Sequence, residues 1–489
     1  MRSLNEKCAV FGAYGKGLDV ARLSFFGLFA MQHRGQESAG IATADGDILR
    51  LHKGMGLVSQ VFNDELIEGL TGHIAVAHNR YSTSGSSKVK NAQPVLAAGS
   101  TDLQRKDYGD MSPSLNDSVT LSSEKDDGAI ALAHNGNIPS TTALSDFLKS
   151  KSVDPSEFND SRMVVEAVAA LMREGKDIEI AVKEVYPLIT GAFSILIMSG
   201  DKLIAIRDEC GIRPLSIAKL NGGYVIVSET CALPPIGATY LRDVNPGEMV
   251  VIDEKGMRSE QLKPANLKMD IFEFVYFARP DSTLLGKSVY EVRSNFGIQL
   301  AKENTIEADV VIPVPETAVP AAIAYARASG IPFELGLAKN RYIHRTFITP
   351  EQHTREQGVK AKLSPIREVI EGKRVIVIDD SIVRGTTTRQ IAPILFEAGA
   401  KEVHFLVSSP PVKYPDFYGI DTPKQSSLIA SVKSVEEIQA YLGATSLHYL
   451  SYEGMIKATG IPESSFCTSC FTGVYPLDIG ERAREVAAR

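Results

Sequence analysis

Cys8 stands in the run Glu6-Lys7-Cys8-Ala9-Val10-Phe11-Gly12. A cysteine beside apolar residues commonly packs as a small core side chain. A second reading is chemical. If Met1–Lys7 were removed, one chain-end residue would carry both a thiol and a free α-amine. An α-amine has an ordinary pKa of about 8, so it can act as a base at neutral pH. A nucleophile beside its own base suits acyl transfer, such as attack on a side-chain amide with release of ammonia.

The strongest local signal lies far along the chain. Arg374-Val-Ile-Val-Ile-Asp379-Asp380-Ser381-Ile-Val-Arg384-Gly385-Thr386-Thr387-Thr388 reads as a buried strand ending in two acids, then a Ser/Gly/Thr loop that opens a helix. A helix N-terminus offers unpaired N–H groups and partial positive charge to an anion. Gly385 lets the backbone come close to that anion, and Ser381, Thr386 and Thr387 add donors. Asp379 and Asp380 would repel a phosphate, so they suit sugar hydroxyls or a metal ion. Together these groups suit a ribose phosphate. A plain strand–turn–helix needs one capping side chain, whereas six Asp, Ser and Thr residues stand here. The spacing is not that of a Walker A loop.

Two segments extend this chemistry. Pro313-Val-Pro315-Glu316-Thr317 follows an apolar run and precedes a helical pattern. Lys339-Asn-Arg341-Tyr342-Ile-His344-Arg345-Thr346, followed by Arg355, Lys360, Lys362 and Arg367, is a basic flap. Such a flap suits a lid over a polyanion, and equally a solvated charged hairpin.

These residues need elements to hold them. Up to about Asp253, short apolar runs bounded by turn residues predict strands at Ile74–Ala77, Ala129–Ala133, Phe193–Met198, Leu203–Ile206 and Tyr224–Val227. Helical spacing marks Val20–Met31 and Ser161–Arg173. Packed sheets with helical layers outside follow from this mixture. Ala97–Gly128, mostly Ser, Asp, Lys, Gly and Asn, reads as a surface loop without chemistry. Lys255–Thr305 reads as a connector with a helix at Val289–Lys302. Beyond it, Asp309–Val314, Arg374–Ile378 and His404–Val407 alternate with helical patterns at Pro320–Ala328 and Thr387–Ala398. That alternation predicts a parallel, doubly wound sheet, which binds ligands at the carboxyl ends of its strands.

Composition excludes several classes. With 52 basic and 59 acidic residues in 489, the net charge of −7 argues against a nucleic-acid binder. Five cysteines do not make a secreted disulfide framework. Met1–Lys7 is too short and polar for a signal peptide, and no apolar run is long enough to span a membrane. A soluble, cytoplasmic, multidomain protein is expected.

Four polar blocks in the first half remain: Gln32-His33-Arg34-Gly35-Gln36-Glu37-Ser38-Ala39-Gly40, His78-Asn79-Arg80-Tyr81-Ser82-Thr83-Ser84-Gly85, His134-Asn135-Gly136-Asn137 and Asn159-Asp160-Ser161. Read singly, Asp160 or Ser161 could cap a helix and Asn135-Gly136 could turn a hairpin. Together with Cys8, and in this order, they resemble the glutamine amidotransferases with an N-terminal nucleophile. That resemblance implies a propeptide at 1–7 and a four-layer αββα Ntn-hydrolase domain at 8–253. It also implies that Cys8 is the nucleophile and that Asn135 and Gly136 form the oxyanion hole. Arg80 and Asp160 would hold the glutamine α-carboxylate and α-ammonium.

The Arg374–Thr388 run resembles the binding loop of type I phosphoribosyltransferases. This implies a doubly wound domain at 254–489, in an α/β chain that is α+β overall. Phosphoribosyl pyrophosphate would be held by Asp379, Asp380, Ser381, Arg384, Gly385, Thr386, Thr387, Lys339, Arg341 and Arg345. Mg²⁺ would sit near Thr317, Asp379 and Asp380.

The two halves in one chain resemble the amidophosphoribosyltransferase family. Further matching runs are Asp208–Leu215, Ser228–Ala232, Tyr276–Ser282, Lys339–Phe347 and Phe417–Asp421. The family resemblance implies the first step of purine biosynthesis, from glutamine and phosphoribosyl pyrophosphate. It also implies a homotetramer inhibited by purine nucleotides. One subgroup carries an iron–sulfur cluster on four cysteines. Cys467 and Cys470 match two of those positions, but Asp270 and Asp416 stand at the others, so no cluster is expected. Two alternatives stay open. An amidotransferase with a sugar-isomerase or ATP-pyrophosphatase half would not need the Asp379–Thr388 loop. A non-catalytic sensor of phosphoribosyl pyrophosphate would not need Cys8, Arg80, Asn135 and Asp160 together.

Overall fold

The structure, a computed structural model, describes residues 8–46, 48–80, 91–98, 116–122 (backbone only), 128–340, 363–418 and 424–486. Among these, the first half builds two antiparallel sheets. An eight-stranded sheet runs in the order Thr239–Asp243, Ser216–Leu220, Gly223–Val227, Ala9–Tyr14, Ile74–Arg80, Ser38–Asp45, Ile48–Met55 and Asn116–Ser122. A six-stranded sheet runs Gly256–Gln261, Glu248–Asp253, Lys202–Arg207, Ala192–Ser199, Ala129–Asn137 and Val95–Ala98.

Alternation along each strand sorts its side chains between two cores. Val10, Val76 and Ile226 of the larger sheet meet Ala131, Leu196 and Val250 of the smaller one in a seam between the sheets. Phe11, Ala75 and Val225 point the other way, under Val20 and Leu28 of the helix Val20–Ala30. On the smaller sheet, Ile130, Leu132 and Ile195 pack beneath Leu144, Val164 and Val182 of three helices, Thr142–Ser150, Asp160–Arg173 and Ile178–Val185. The layers are therefore helix, sheet, sheet, helix. Strands covered on both faces read as unbroken apolar runs, which is why their sequence signal was strong.

Two expectations need amending. Ala97–Gly128 is not simply a loop, because Asn116–Ser122 pairs antiparallel with Ile48–Met55 as an edge strand. Its alternation of Ser118, Val119, Thr120 and Leu121 suits an edge, where composition alone suggested solvent. Lys255–Thr305 is more than a connector. Gly256–Gln261 forms a hairpin with Glu248–Asp253, so the first half's sheet runs on past residue 253.

The second half is a parallel sheet of Val310–Pro313, Arg374–Asp379, Glu402–Val407 and Ser446–Tyr449. Val311 also bridges Phe333 in parallel on the opposite edge. The winding therefore reverses between the strands ending at Pro313 and Asp379. Val311 and Ile376 face the helices Val289–Glu303 and Val319–Ser329 through Phe296 and Tyr325. Val310, Val375 and Val377 face the opposite side, toward Ile391, Leu395 and Ile438. This is a doubly wound sheet, and ligands bind such sheets where the winding reverses. No helix among the described residues is long and apolar enough to cross a membrane.

The two sheets of the first half are clasped by a buried histidine. His78 Nε2 donates to the His134 carbonyl at 3.0 Å. Burial, with Arg80 adding to it, draws the His78 imidazole down to about 3, so it is neutral in the fold. The unfolded chain would take up this proton below about 6.5. Stability should therefore fall as pH drops from about 6.5 toward 3, by up to about 1.4 kcal/mol per pH unit from this group. Denaturant midpoints measured across that range should show a shallower decline in a His78→Gln variant.

Candidate active sites

Cys8 enters the central strand Ala9–Tyr14 of the larger sheet and is buried. Ala9 is paired with Asn79, and continuing that register by one residue sets Cys8 beside Arg80. Arg80 in turn is paired with Ser38. Arg80 is buried, and its Nη1 has no hydrogen-bond partner among the described residues. A desolvated guanidinium nitrogen of this kind is ready for a carboxylate.

The smaller sheet delivers the rest. His134, Asn135 and Gly136 lie within the strand Ala129–Asn137, not in a hairpin turn after it. Asn135 is buried, and its Nδ2 donates to Ser228 Oγ at 3.3 Å. Val10 N donates to the same oxygen at 2.9 Å. Asn135 and the strand that follows Cys8 are thus joined through one hydroxyl. Gly136 has φ +150, and a Cβ there would meet the Ala192 carbonyl oxygen at 2.0 Å. Only glycine keeps the backbone this close to its neighbour.

Asp160 reaches the same place from the helix Asp160–Arg173. The cap of that helix is Asn159, whose side chain accepts from Arg162 N at 2.8 Å. Asp160 Oδ1 accepts from Ser161 N at 2.7 Å and from Ser161 Oγ at 3.2 Å. His134 Nδ1 lies 3.7 Å from Asp160 Oδ2 and 3.2 Å from Ser161 Oγ. Gln93 closes the corner, accepting from His134 N at 2.7 Å and donating to Ser161 Oγ at 3.2 Å. Tyr81–Gly85 of the predicted Arg80 block lie outside the described residues, as do Met1–Lys7.

At the second site, Asp379 ends its strand and Asp380 follows. Asp379 accepts from Asp380 N at 3.0 Å and from Thr388 Oγ1 at 3.3 Å. Ser381 Oγ donates to Asp380 at 2.8 Å. Burial, then the charge of Asp380, pushes the Asp379 carboxyl well above its usual range. Two hard oxygen donors crowded in this way fit a divalent cation or sugar hydroxyls. Gly385, at φ +72, turns the chain into the helix Thr388–Glu397. The loop after Pro313 emerges from the neighbouring strand end. There Glu316 lies 3.9 Å from Lys339 Nζ, and Thr317 is half-buried. Arg341 and Arg345 lie outside the described residues.

Family models agree with this division of labour. A glutamine amidotransferase domain matches residues 116–235, and a phosphoribosyl transferase domain matches 293–416. An amidophosphoribosyltransferase of Synechococcus elongatus is 46% identical over 98% of this chain and 93% of its own. That of Bacillus subtilis is 43% identical over 98% and 96%. A solved glutamine phosphoribosylpyrophosphate amidotransferase from B. subtilis, complexed with ADP and GMP, superposes with a TM-score of 0.85 at 42% identity, covering 97% of this chain and 98% of that one. A structure described as the allosteric regulatory enzyme of purine biosynthesis gives 0.86 at 42%, covering 98% and 99%. The chain belongs to the amidophosphoribosyltransferase family.

In this amidophosphoribosyltransferase the two halves meet through buried charges. Arg34 pairs with Glu229 and with Glu273, and Arg213 Nη1 lies 3.2 Å from Glu273 and 3.3 Å from Asp270. None of these five side chains is more than 2% exposed. Glu229 also accepts from Arg279 N at 2.6 Å and Ser282 Oγ at 2.7 Å. Burial opposes its charge, but Arg34 and His33 outweigh burial and hold the carboxyl well below the usual range. His33, Glu229 and Cys231 bring donor atoms within 4.8 Å of one another. Arg34 already occupies that carboxylate, and burial keeps the Cys231 thiol protonated, so the group is a hydrogen-bonded hub.

The four cluster positions also come together. Asp270 and Cys467 are register partners in a short parallel pair, and Ser469 Oγ donates to Asp416 at 3.2 Å. Burial, followed by the two carboxyls, pushes both the Cys467 and Cys470 thiols well up. Two thiols and two carboxyls, one of them beside Arg213, are not the four-thiolate donor set of such a cluster.

Sequence reasoning missed Arg293 as a buried structural residue, which donates to the Phe274 and Ala278 carbonyls at 2.8 Å. Burial draws its guanidinium down to about 10, and Asp380 is its strongest opposing charge. The signal was present, since Arg293 falls on the apolar stripe of Val289, Val292, Phe296 and Leu300. Arg34→Met would strand two buried carboxylates, and unfolding titrations should show a loss of about 3–5 kcal/mol. Arg22→Ala, which breaks only exposed pairs with Asp19 and Asp64, should leave the midpoint in the same assay nearly unchanged.

Proposed function

We propose that the first half releases ammonia from glutamine and that the second half joins it to phosphoribosyl pyrophosphate, forming 5-phosphoribosylamine, glutamate and pyrophosphate. What supports this reading is the register that sets Cys8 beside Arg80, with Asn135 tied through Ser228 to Val10 and Asp160 near His134. With Met1–Lys7 removed, the Cys8 amine takes the thiol proton and the sulfur attacks the side-chain amide. Asn135 Nδ2 and the Gly136 N–H hold the oxyanion, while Arg80 and Asp160 hold the two ends of the amino acid. The amine returns its proton to the departing ammonia, and water then hydrolyses the thioester.

In the second half, Asp379 and Asp380 hold the ribose hydroxyls, and the Ser381–Thr387 loop, with Arg384 and Gly385, holds the 5-phosphate. Bound Mg²⁺, near Thr317, Asp379 and Asp380, would offset charge on the leaving pyrophosphate. Lys339, Arg341 and Arg345 supply positive charge for the pyrophosphate. Ammonia released into water would become protonated and lose its nucleophilicity, so it passes between the halves along a closed path. The ADP and GMP bound to the B. subtilis relative support purine nucleotides as inhibitors. A cytoplasmic homotetramer follows from the family resemblance.

Cys8→Ala should lower glutamine-dependent synthesis by about a thousandfold or more while synthesis from added ammonia persists. Intact mass of the active protein should report Cys8 as the first residue. Full glutamine use by a chain still starting at Met1 would sink the mechanism. The Asp270–Asp416–Cys467–Cys470 corner holds no iron–sulfur cluster on this reading. Iron and sulfide assays of anaerobically purified protein should therefore find background levels, and about four irons per chain would overturn it.

A further inference from the structure

We propose that Ser228 is a positioning residue for amide hydrolysis, fixing the Asn135 side chain so that one of its N–H groups is aimed at the developing oxyanion. This rests on the oxyanion role proposed for Asn135.

Ser228 directly follows the strand Gly223–Val227 and is fully buried. Its N–H donates to the Val10 carbonyl at 3.1 Å, and its Oγ accepts from Val10 N at 2.9 Å. It is therefore clamped in both directions to a residue two positions beyond Cys8. The same Oγ accepts from Asn135 Nδ2 at 3.3 Å. Ser228 therefore touches both the nucleophile's strand and the oxyanion donor.

The bond matters because of what an asparagine amide can do without it. Its terminal torsion is broad and roughly two-fold, so oxygen and nitrogen exchange places at little cost. With the oxygen turned toward the reacting carbon, the amide would repel the anion it should stabilise. The bond to Ser228 Oγ restrains the amide with Nδ2 on the serine, and the amide has a second N–H left to give. Ser228 is itself held in place, because the neighbouring Glu229 is bound by Arg279 N and Ser282 Oγ of the second half. The donor is thus preorganised before charge develops, which is where oxyanion stabilisation gains its strength.

The test uses the full-length processed enzyme. Ser228→Ala should lower kcat for glutamine hydrolysis about tenfold or more, with KM for glutamine within about twofold, because Arg80 and Asp160 are untouched. Synthesis from ammonia should be unchanged. Asn135→Ala should lower kcat about a hundredfold, and adding Ser228→Ala to it should cost nothing further. Ser228→Cys, which keeps the volume but is a weaker acceptor, should fall between and carries the same comparison if the alanine variant does not fold. A wild-type kcat in Ser228→Ala, losses that multiply in the double variant, or an equal fall in ammonia-dependent synthesis would overturn the proposal. If Asn135→Ala is crippled and Ser228→Ala is not, only the positioning role fails. If Asn135→Ala is itself unimpaired, the oxyanion assignment beneath it fails.

Discussion

The arrangement of this protein depends on a row of charges taken out of water between its two halves. Arg34 stands between Glu229 and Glu273, and Arg213 between Glu273 and Asp270. Burying such groups is costly, and apolar side chains of the same size could have held the halves together as firmly. What charge adds is direction. A guanidinium is satisfied only by acceptors lying in its plane, so the second half can seat on the first in one orientation. Glu229 is the pivot, since it binds Arg34 on one side and the Arg279–Ser282 segment on the other. Ser228, the preceding residue, carries that alignment into the seam where Cys8 and Asn135 meet.

The seam supplies the second condition for chemistry, a dry and already ordered polar environment. His78 and His134 are both shifted toward their neutral forms by burial, so neither brings a competing charge beside Arg80. Each hydrogen bond there works in a medium of low polarity, where a fixed donor stabilises an anion more than water could.

Much of the scaffold was legible from apolar runs alone. Strands such as Ala192–Ser199 and Arg374–Asp379 are covered on both faces and carry uninterrupted aliphatic residues, so their positions were clear. Asn116–Ser122 was not, because this edge strand carries only Val119 and Leu121 among Asn, Asp, Ser and Thr, too weak an apolar signal to stand out. Ser228, Gln93 and Arg34 are ordinary polar residues by sequence. Their importance comes from partners dozens to hundreds of positions away, as with Val10 and Ser228.

The two sites divide along the same line. By itself the sequence determined the strand–loop–helix of the proposed phosphate site, because strand end, loop and helix start are contiguous and local backbone geometry brings their donors together. It also determined the type of each group in the amide site. It could not determine how residues 8, 80, 135 and 160 are brought to their places in the fold. That was decided by strand register, where a slip of one residue would turn Arg80 to the opposite face of its sheet. It was decided as well by the stacking of two sheets, which brings Asn135 against Ser228. Register and stacking come from the packing of many side chains at once, and no short segment contains that information.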